Sequence, residues 1–124
     1  LQHATAALVV SGTATLETAL FKVPQVVCYK AGWLFYNLAK LVVKVKYISL
    51  VNLIMDKEIV KELIQSELNT YNLTKELSKV ITPKTRQTML HNYEELHQKL
   101  GGIGASKRAA KLIVGYLKQV QINP

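Results

Sequence analysis

The sequence predicts an α/β fold in which two or three parallel strands are followed by several helices. Two observations carry this prediction. Near the start, continuous apolar runs at 6–10 and 25–30 flank a short amphipathic stretch. Runs of that length without alternation mark strands buried on both faces, as in a parallel sheet. After Met55 the apolar positions recur with helical spacing only. A chain of 124 residues is one domain by length, and 49% hydrophobic residues suffice for a core.

The elements follow in order. Residues 6–10 form the first strand and run into Ser11-Gly12-Thr13, small turn residues that suit a helix start. Residues 15–21 form a short helix, and Pro24 opens the second strand at 25–30. A strand–helix–strand unit makes its strands parallel neighbours joined by a right-handed crossover. The next segment, 31–44, is aromatic at its start and basic at its end. Trp33, Tyr36 and Lys40 share one helical face and Leu34, Leu38, Leu41 and Val45 another. That face suits a membrane interface or an acyl chain, and equally a helix packed beside a cleft. Residues 48–51 read as a third short strand or an extended loop.

Beyond Met55 at least four helices are expected. Asp56 caps one through Leu68, with Ile59, Val60, Leu63, Ile64 and Leu68 as its apolar stripe. Asn72 caps the next, whose Leu73, Leu77, Val80 and Ile81 face inward. Thr82-Pro83 starts a helix that runs to Leu100 and stops at Gly101-Gly102. The last helix begins near Ala105 and gathers Ala109, Leu112, Ile113, Tyr116, Leu117 and Val120 on one face. The chain thus divides into an α/β portion, 1–55, and a helical portion, 56–124, with no repeat or long linker. Two or three strands make a poor free-standing sheet, so this pattern reads as a fragment of a larger protein.

Chemistry concentrates at the first turn. The leading N–H groups of a helix have no intrahelical partner, and the helix dipole makes that end positive. Gly12 allows a phosphate close approach, Ser11 and Thr13 add hydroxyl donors, and Glu17 lies one turn on, where a carboxylate can accept from sugar hydroxyls. A nucleoside diphosphate fits this arrangement. The same residues also suit an ordinary junction, with Thr13 as N-cap and Glu17 in solvent. Neither G-x-G-x-x-G nor G-x-x-x-x-G-K-[ST] is present. Asn52, between apolar residues, either satisfies its own loop or faces a ligand; Tyr47 and Ser49 are weaker candidates beside it.

The formal charge of +8 favours phosphorylated ligands, anionic headgroups or nucleic acid, or serves solubility alone. Lys40, Lys44 and Lys46 cluster, as do Lys107, Arg108 and Lys111. Cys28 is the single cysteine and sits in an apolar strand, so it is read as a structural thiol. His3, His91 and His97 form no metal set, and no Ser-His-Asp order emerges, so neither a metal site nor a cofactor is expected. No apolar run is long enough to span a membrane, and no signal peptide is read.

The segments Ser11-Gly12-Thr13-Ala14-Thr15-Leu16-Glu17, Pro24–Lys30, Tyr47-Ile48-Ser49-Leu50-Val51-Asn52-Leu53 and Glu58–Gln65, with Glu95-Leu96-His97-Gln98 and the Ala-rich last helix, resemble the C-terminal part of the lipid-A-disaccharide synthases. The resemblance covers nearly the whole chain. The first motif is shared loosely with other two-domain glycosyltransferases; its combination with the Tyr47–Leu53 motif is much more specific. Val51 departs from the pattern, where the family is expected to have proline.

This resemblance implies the Rossmann-like C-terminal domain of a GT-B glycosyltransferase. Such an enzyme transfers diacylglucosamine from UDP to diacylglucosamine 1-phosphate, giving lipid A disaccharide and UDP. It implies that Ser11, Gly12 and Thr13 hold the UDP diphosphate, Glu17 the ribose and Asn52 the donor sugar or phosphate. It also implies a missing N-terminal domain that supplies the acceptor surface and the general base, so no catalytic residue is assigned within this chain. The expected setting is cytoplasmic, peripheral at the inner membrane of a Gram-negative bacterium. Membrane-surface contact and oligomerisation are compatible with it, and nucleic acid is not an expected partner. The readings that compete are a basic helical non-catalytic interaction domain and another α/β nucleotide-binding enzyme.

Overall fold

The computed structural model describes residues 1, 3–32, 46–101 and 104–122. Its elements are β1 (Ala7–Val10), α1 (Ala14–Leu20), β2 (Gln25–Tyr29), α2 (Leu50–Met55), β3 (Lys61–Ile64), α3 (Thr70–Val80), α4 (Pro83–Lys99) and α5 (Ala105–Ile122), with a 3-10 turn at Gln65–Glu67. The segment 33–45, which contains Trp33, Tyr36, Lys40 and Lys44, lies outside the described residues.

The strands form one parallel sheet in the order β1-β2-β3. Leu8 pairs with Val26 and Val10 with Cys28, as the strand–helix–strand unit requires. β2 is central, and its successive residues Val26 and Val27 are both fully buried, one toward each face. Gln25 marks the face that holds α1 and α4: its Nε2 donates to the Thr15 carbonyl at 2.9 Å and to the Tyr93 hydroxyl at 3.3 Å. Glu62, in register with Val27, points to that same face and meets Ser49 and Asn52 of α2 and its cap. Alternation turns Val26 and Leu63 the other way, where α3 packs on β2 and β3. Helices on both faces of a parallel sheet make this a partial Rossmann-like α/β domain. On the α3 side of β1, Leu8 and Val10 are exposed, and no described element packs there.

Both crossover ends are built by local chemistry. α1 stops where Phe21 caps it and Lys22 takes a left-handed conformation (φ 58°), turning the chain into Val23-Pro24. At the far end of the sheet, Gln65 also has positive φ (53°). Its side chain then continues the pairing of β2 with β3: Oε1 accepts from the Ala31 N–H at 2.9 Å and Nε2 donates to the Ala31 carbonyl at 3.1 Å. α4 begins at Thr82-Pro83 as expected and buries Met89, Tyr93 and Leu96 along one stripe.

Four expectations are corrected. Residues 56–68 are not a helix capped by Asp56; they contain β3 and the 3-10 turn. Asp56 instead ends α2 in a left-handed conformation (φ 51°, ψ 30°). The run 48–51 is correspondingly no strand: Ser49 caps α2, accepting from the Asn52 N–H. The expected count of at least four helices after Met55 therefore falls to three α-helices among the described residues. The cap of α3 is Asn69, whose side chain accepts from the Asn72 N–H at 2.9 Å, so Asn72 lies inside that helix.

The final helix departs in packing rather than in position. α5 spans Ala105–Ile122, yet Leu112, Ile113, Tyr116 and Leu117 are all more than half exposed. The side chain of Val120 lies outside the described residues. Among the described residues no helix is long and apolar enough to cross a membrane.

Candidate functional site

Ser11-Gly12-Thr13 sits where β1 ends, at the carboxyl edge of the parallel sheet. Open α/β sheets bind ligands outside that edge. The Ser11 N–H still belongs to the sheet, donating to the Cys28 carbonyl at 3.3 Å. Gly12 then breaks away with φ +151°, a conformation that residues with a Cβ rarely adopt. No atom lies within 4 Å of where a Gly12 Cβ would stand, so the turn opens onto free space.

The backbone of this turn is half used. Gly12 O accepts from Thr15 N (3.2 Å) and Thr15 Oγ1 (2.7 Å), and Thr13 O accepts from Leu16 N (3.0 Å) and Glu17 N (3.2 Å). Among the described residues, the N–H groups of Gly12 and Thr13 meet no backbone acceptor. Thr13 is exposed, helical in backbone (φ −61°, ψ −27°), and its side chain makes no capping bond. The turn is thus not an ordinary capped helix start: Thr15 and Thr18 bond back to Gly12 and Ala14, while Thr13 caps nothing with its side chain. Glu17 is exposed one turn along α1.

Ser11 differs from the expectation of a hydroxyl donor toward a phosphate. A hydroxyl has one proton, and that of Ser11 goes to the Ile48 carbonyl at 2.8 Å. Ser11 therefore fastens the turn to the segment before α2.

Asn52, a ligand-contact candidate by sequence, lies in the protein interior. It is fully buried, and its amide is committed within the protein. Nδ2 donates to Val60 O and to Glu62 Oε1, each at 2.8 Å, while Oδ1 accepts from Ile59 N at 2.8 Å and Val60 N at 3.1 Å. With two donors and two acceptor sites all engaged, no amide atom remains for a sugar or phosphate. Ser49 is equally buried, its Oγ donating to Glu62 Oε1 at 2.7 Å. Tyr47 is half-buried beneath the Lys46 ammonium, 5.1 Å from its ring centre.

Sequence reasoning missed Glu62, which organises all of this. A carboxylate 6% exposed, it accepts from Ser49 N (3.0 Å) as well as from Ser49 Oγ and Asn52 through Oε1, and from Ile48 N (2.9 Å) through Oε2. The available signal was an acid inside the apolar run 59–64. Gln25 was missed as well: its Oε1 is buried without a partner among the described residues.

Other candidate chemistry does not assemble. Among the described residues no group of His, Cys, Asp and Glu has the makings of a metal site. His3 and His91 are exposed, and His91 stands 3.5 Å from Glu95. Burial pushes the Cys28 thiol above its ordinary value, which suits a structural role rather than a nucleophile. A groove lined by Met55, Lys57, Glu95, Gln98 and Lys99 lies at the opposite end of α2 from Ser49. Its Lys57 pairs with Glu95 at 2.8 Å and holds that carboxyl below its usual range.

Comparison with known proteins agrees along nearly the whole chain. The family model described as lipid-A-disaccharide synthetase matches residues 1–114. A lipid-A-disaccharide synthase of Psychromonas ingrahamii is 47% identical over 117 residues, 94% of this chain and 30% of that protein. Those of Syntrophus aciditrophicus and Myxococcus xanthus are 38% and 37% identical, over 94% and 90% of this chain and 30% of each relative. The chain thus spans about 30% of the length of the curated relatives it matches.

Proposed function

Because the chain belongs to the lipid-A-disaccharide synthetase family, we propose that it is the donor-nucleotide part of a glycosyltransferase of lipid A biosynthesis. The reaction joins diacylglucosamine, carried on UDP, to diacylglucosamine 1-phosphate. An acceptor hydroxyl oxygen bonds to the anomeric carbon, the bond from that carbon to the diphosphate breaks, and UDP leaves with the electron pair. The acceptor proton passes to a general base outside this chain, on an N-terminal domain that also presents the acceptor.

The observation that carries this reading is the open turn at the end of β1. Gly12 and Thr13 are exposed beside a helix start, and their N–H groups, with no backbone acceptor among the described residues, can bind the diphosphate and stabilise its charge as UDP departs. Thr13 adds its hydroxyl, and Glu17, exposed one turn away, accepts from the ribose hydroxyls. The acylated substrates and the charge of +8 support a site of action at the cytoplasmic face of the inner membrane.

The test is a UDP titration followed by amide NMR, with kinetics on the complete protein. UDP should shift the Gly12 and Thr13 amides. Glu17→Gln should lower kcat/KM for the UDP donor roughly ten- to a hundredfold, the worth of a charged hydrogen bond of about 1.5–3 kcal/mol. An unmoved Gly12 amide, or wild-type kcat/KM in a folded Glu17→Gln variant, removes that residue from the site.

A further inference from the structure

We propose that Glu62 is a positioning residue for the nucleotide's diphosphate, acting on the phosphate turn through the peptide between Ile48 and Ser49. This rests on the reading that the Ser11–Thr13 turn holds the diphosphate.

The geometry is a relay through one peptide group. Ser11 Oγ donates to the Ile48 carbonyl at 2.8 Å. The other end of that peptide, the Ser49 N–H, donates to Glu62 Oε1 at 3.0 Å. The neighbouring Ile48 N–H donates to Glu62 Oε2 at 2.9 Å. Both carboxylate oxygens thus grip the same segment. A carboxylate that receives an N–H polarises the peptide and makes its carbonyl a better acceptor. The Ile48 oxygen then holds the Ser11 proton.

The charge of Glu62 is met by neutral donors alone among the described residues: Ile48 N, Ser49 N, Ser49 Oγ and Asn52 Nδ2. A hydrophobic residue would fill β3 without demanding any of these. Its carboxylate, on the buried face of a strand, serves to fix the 48–49 peptide and, through it, the place of Ser11. Ser11 leads directly into Gly12, whose φ of +151° turns the chain out of the strand and into the exposed start of α1. Loss of the relay frees the turn to choose other conformations, and the bound diphosphate must then re-order it.

The experiment is a double-mutant cycle on UDP affinity in the complete protein. Ser11→Ala and Glu62→Gln should each raise the UDP Kd about three- to tenfold, the range of one hydrogen bond. The double variant should be no weaker than the weaker single one, because both cut the same relay. Losses that multiply in the double variant overturn the proposal. A Glu62 that merely held the fold would give that multiplication.

A second measurement needs no change at Glu62, should Glu62→Gln not fold. In the wild type, UDP should shift the Ser49 amide along with those of Gly12 and Thr13. In Ser11→Ala the Gly12 and Thr13 shifts should remain while the Ser49 shift disappears. A Ser49 amide unmoved in the wild type, or still moving in Ser11→Ala, overturns the relay. If UDP moves neither Gly12 nor Thr13 in the wild type, the nucleotide reading itself fails.

Discussion

Replacing Asn52 with alanine separates a structural amide from a ligand contact. The side chain is fully buried and makes four hydrogen bonds, all internal. Truncation leaves the N–H groups of Ile59 and Val60 and the Val60 carbonyl without those partners, and takes one of three donors from Glu62 Oε1. Each buried group left unsatisfied costs about 1–3 kcal/mol, and water entering the vacated space restores part of that. The net loss should be about 3–5 kcal/mol, among the largest that single substitutions produce. With a urea slope of about 2 kcal/mol/M, the unfolding midpoint falls by roughly 1.5–2.5 M. The assay is urea unfolding followed by circular dichroism, with the slope checked for two-state behaviour. A midpoint within about 0.5 M of wild type, together with lost UDP binding, would refute the structural assignment and return Asn52 to the ligand site.

Three further outcomes are expected. Burial pushes the Tyr93 phenol well above its ordinary range. Above about pH 10 an unfolded tyrosine ionises while native Tyr93 keeps its proton, so stability should fall with rising pH by up to about 1.4 kcal/mol per unit. Tyr93→Phe should flatten that alkaline slope in unfolding curves, at a neutral-pH cost of about 0.5–1.5 kcal/mol for the bond from Gln25; an unchanged slope would contradict the assignment. Gly12→Ala should cost about 1–3 kcal/mol in the same curves through backbone strain alone, because its φ is +151° while the Cβ meets open space. The isolated chain should bind UDP yet show no transferase turnover with UDP-diacylglucosamine and acceptor; multiple turnovers would place the missing base within these residues.

The sequence was most legible where pattern and turn chemistry agree. The runs 6–10 and 25–30 became β1 and β2 within a residue or so, and Thr82-Pro83 opened α4 as its residue types require. The failure at 56–68 has a definite cause. Ile59, Val60, Leu63 and Ile64 suit one face of a helix as well as a short buried strand, and periodicity cannot separate the two over so short a run. What decides is tertiary: Asn52, upstream, takes the N–H groups of Ile59 and Val60, and Glu62 must reach back to Ser49. Neither bond has a local signature. The turn at 11–13 between β1 and α1 was legible for the same reason that the strands were, since its residue types act locally. The reassignment of Ser11 was not, because it depends on a carbonyl that lies 37 positions away.

The Glu62 cluster also bears on the order in which the chain assembles. Sheet contacts here are distant in sequence: Leu8 meets Val26 (26 − 8 = 18) and Val26 meets Lys61 (61 − 26 = 35). The cluster is compact by comparison, with Glu62 bonded to partners 10–14 positions away and Asn52 to partners 7 and 8 away. Shorter loops close at lower entropic cost and faster. Closing residues 48–62 thus costs less chain entropy than pairing either pair of strands. If they close first, β3 would meet β2 with its side chains already sorted between the two faces. The carboxylate that holds the 48–49 peptide in the finished protein would then also help set the register in which the sheet is built.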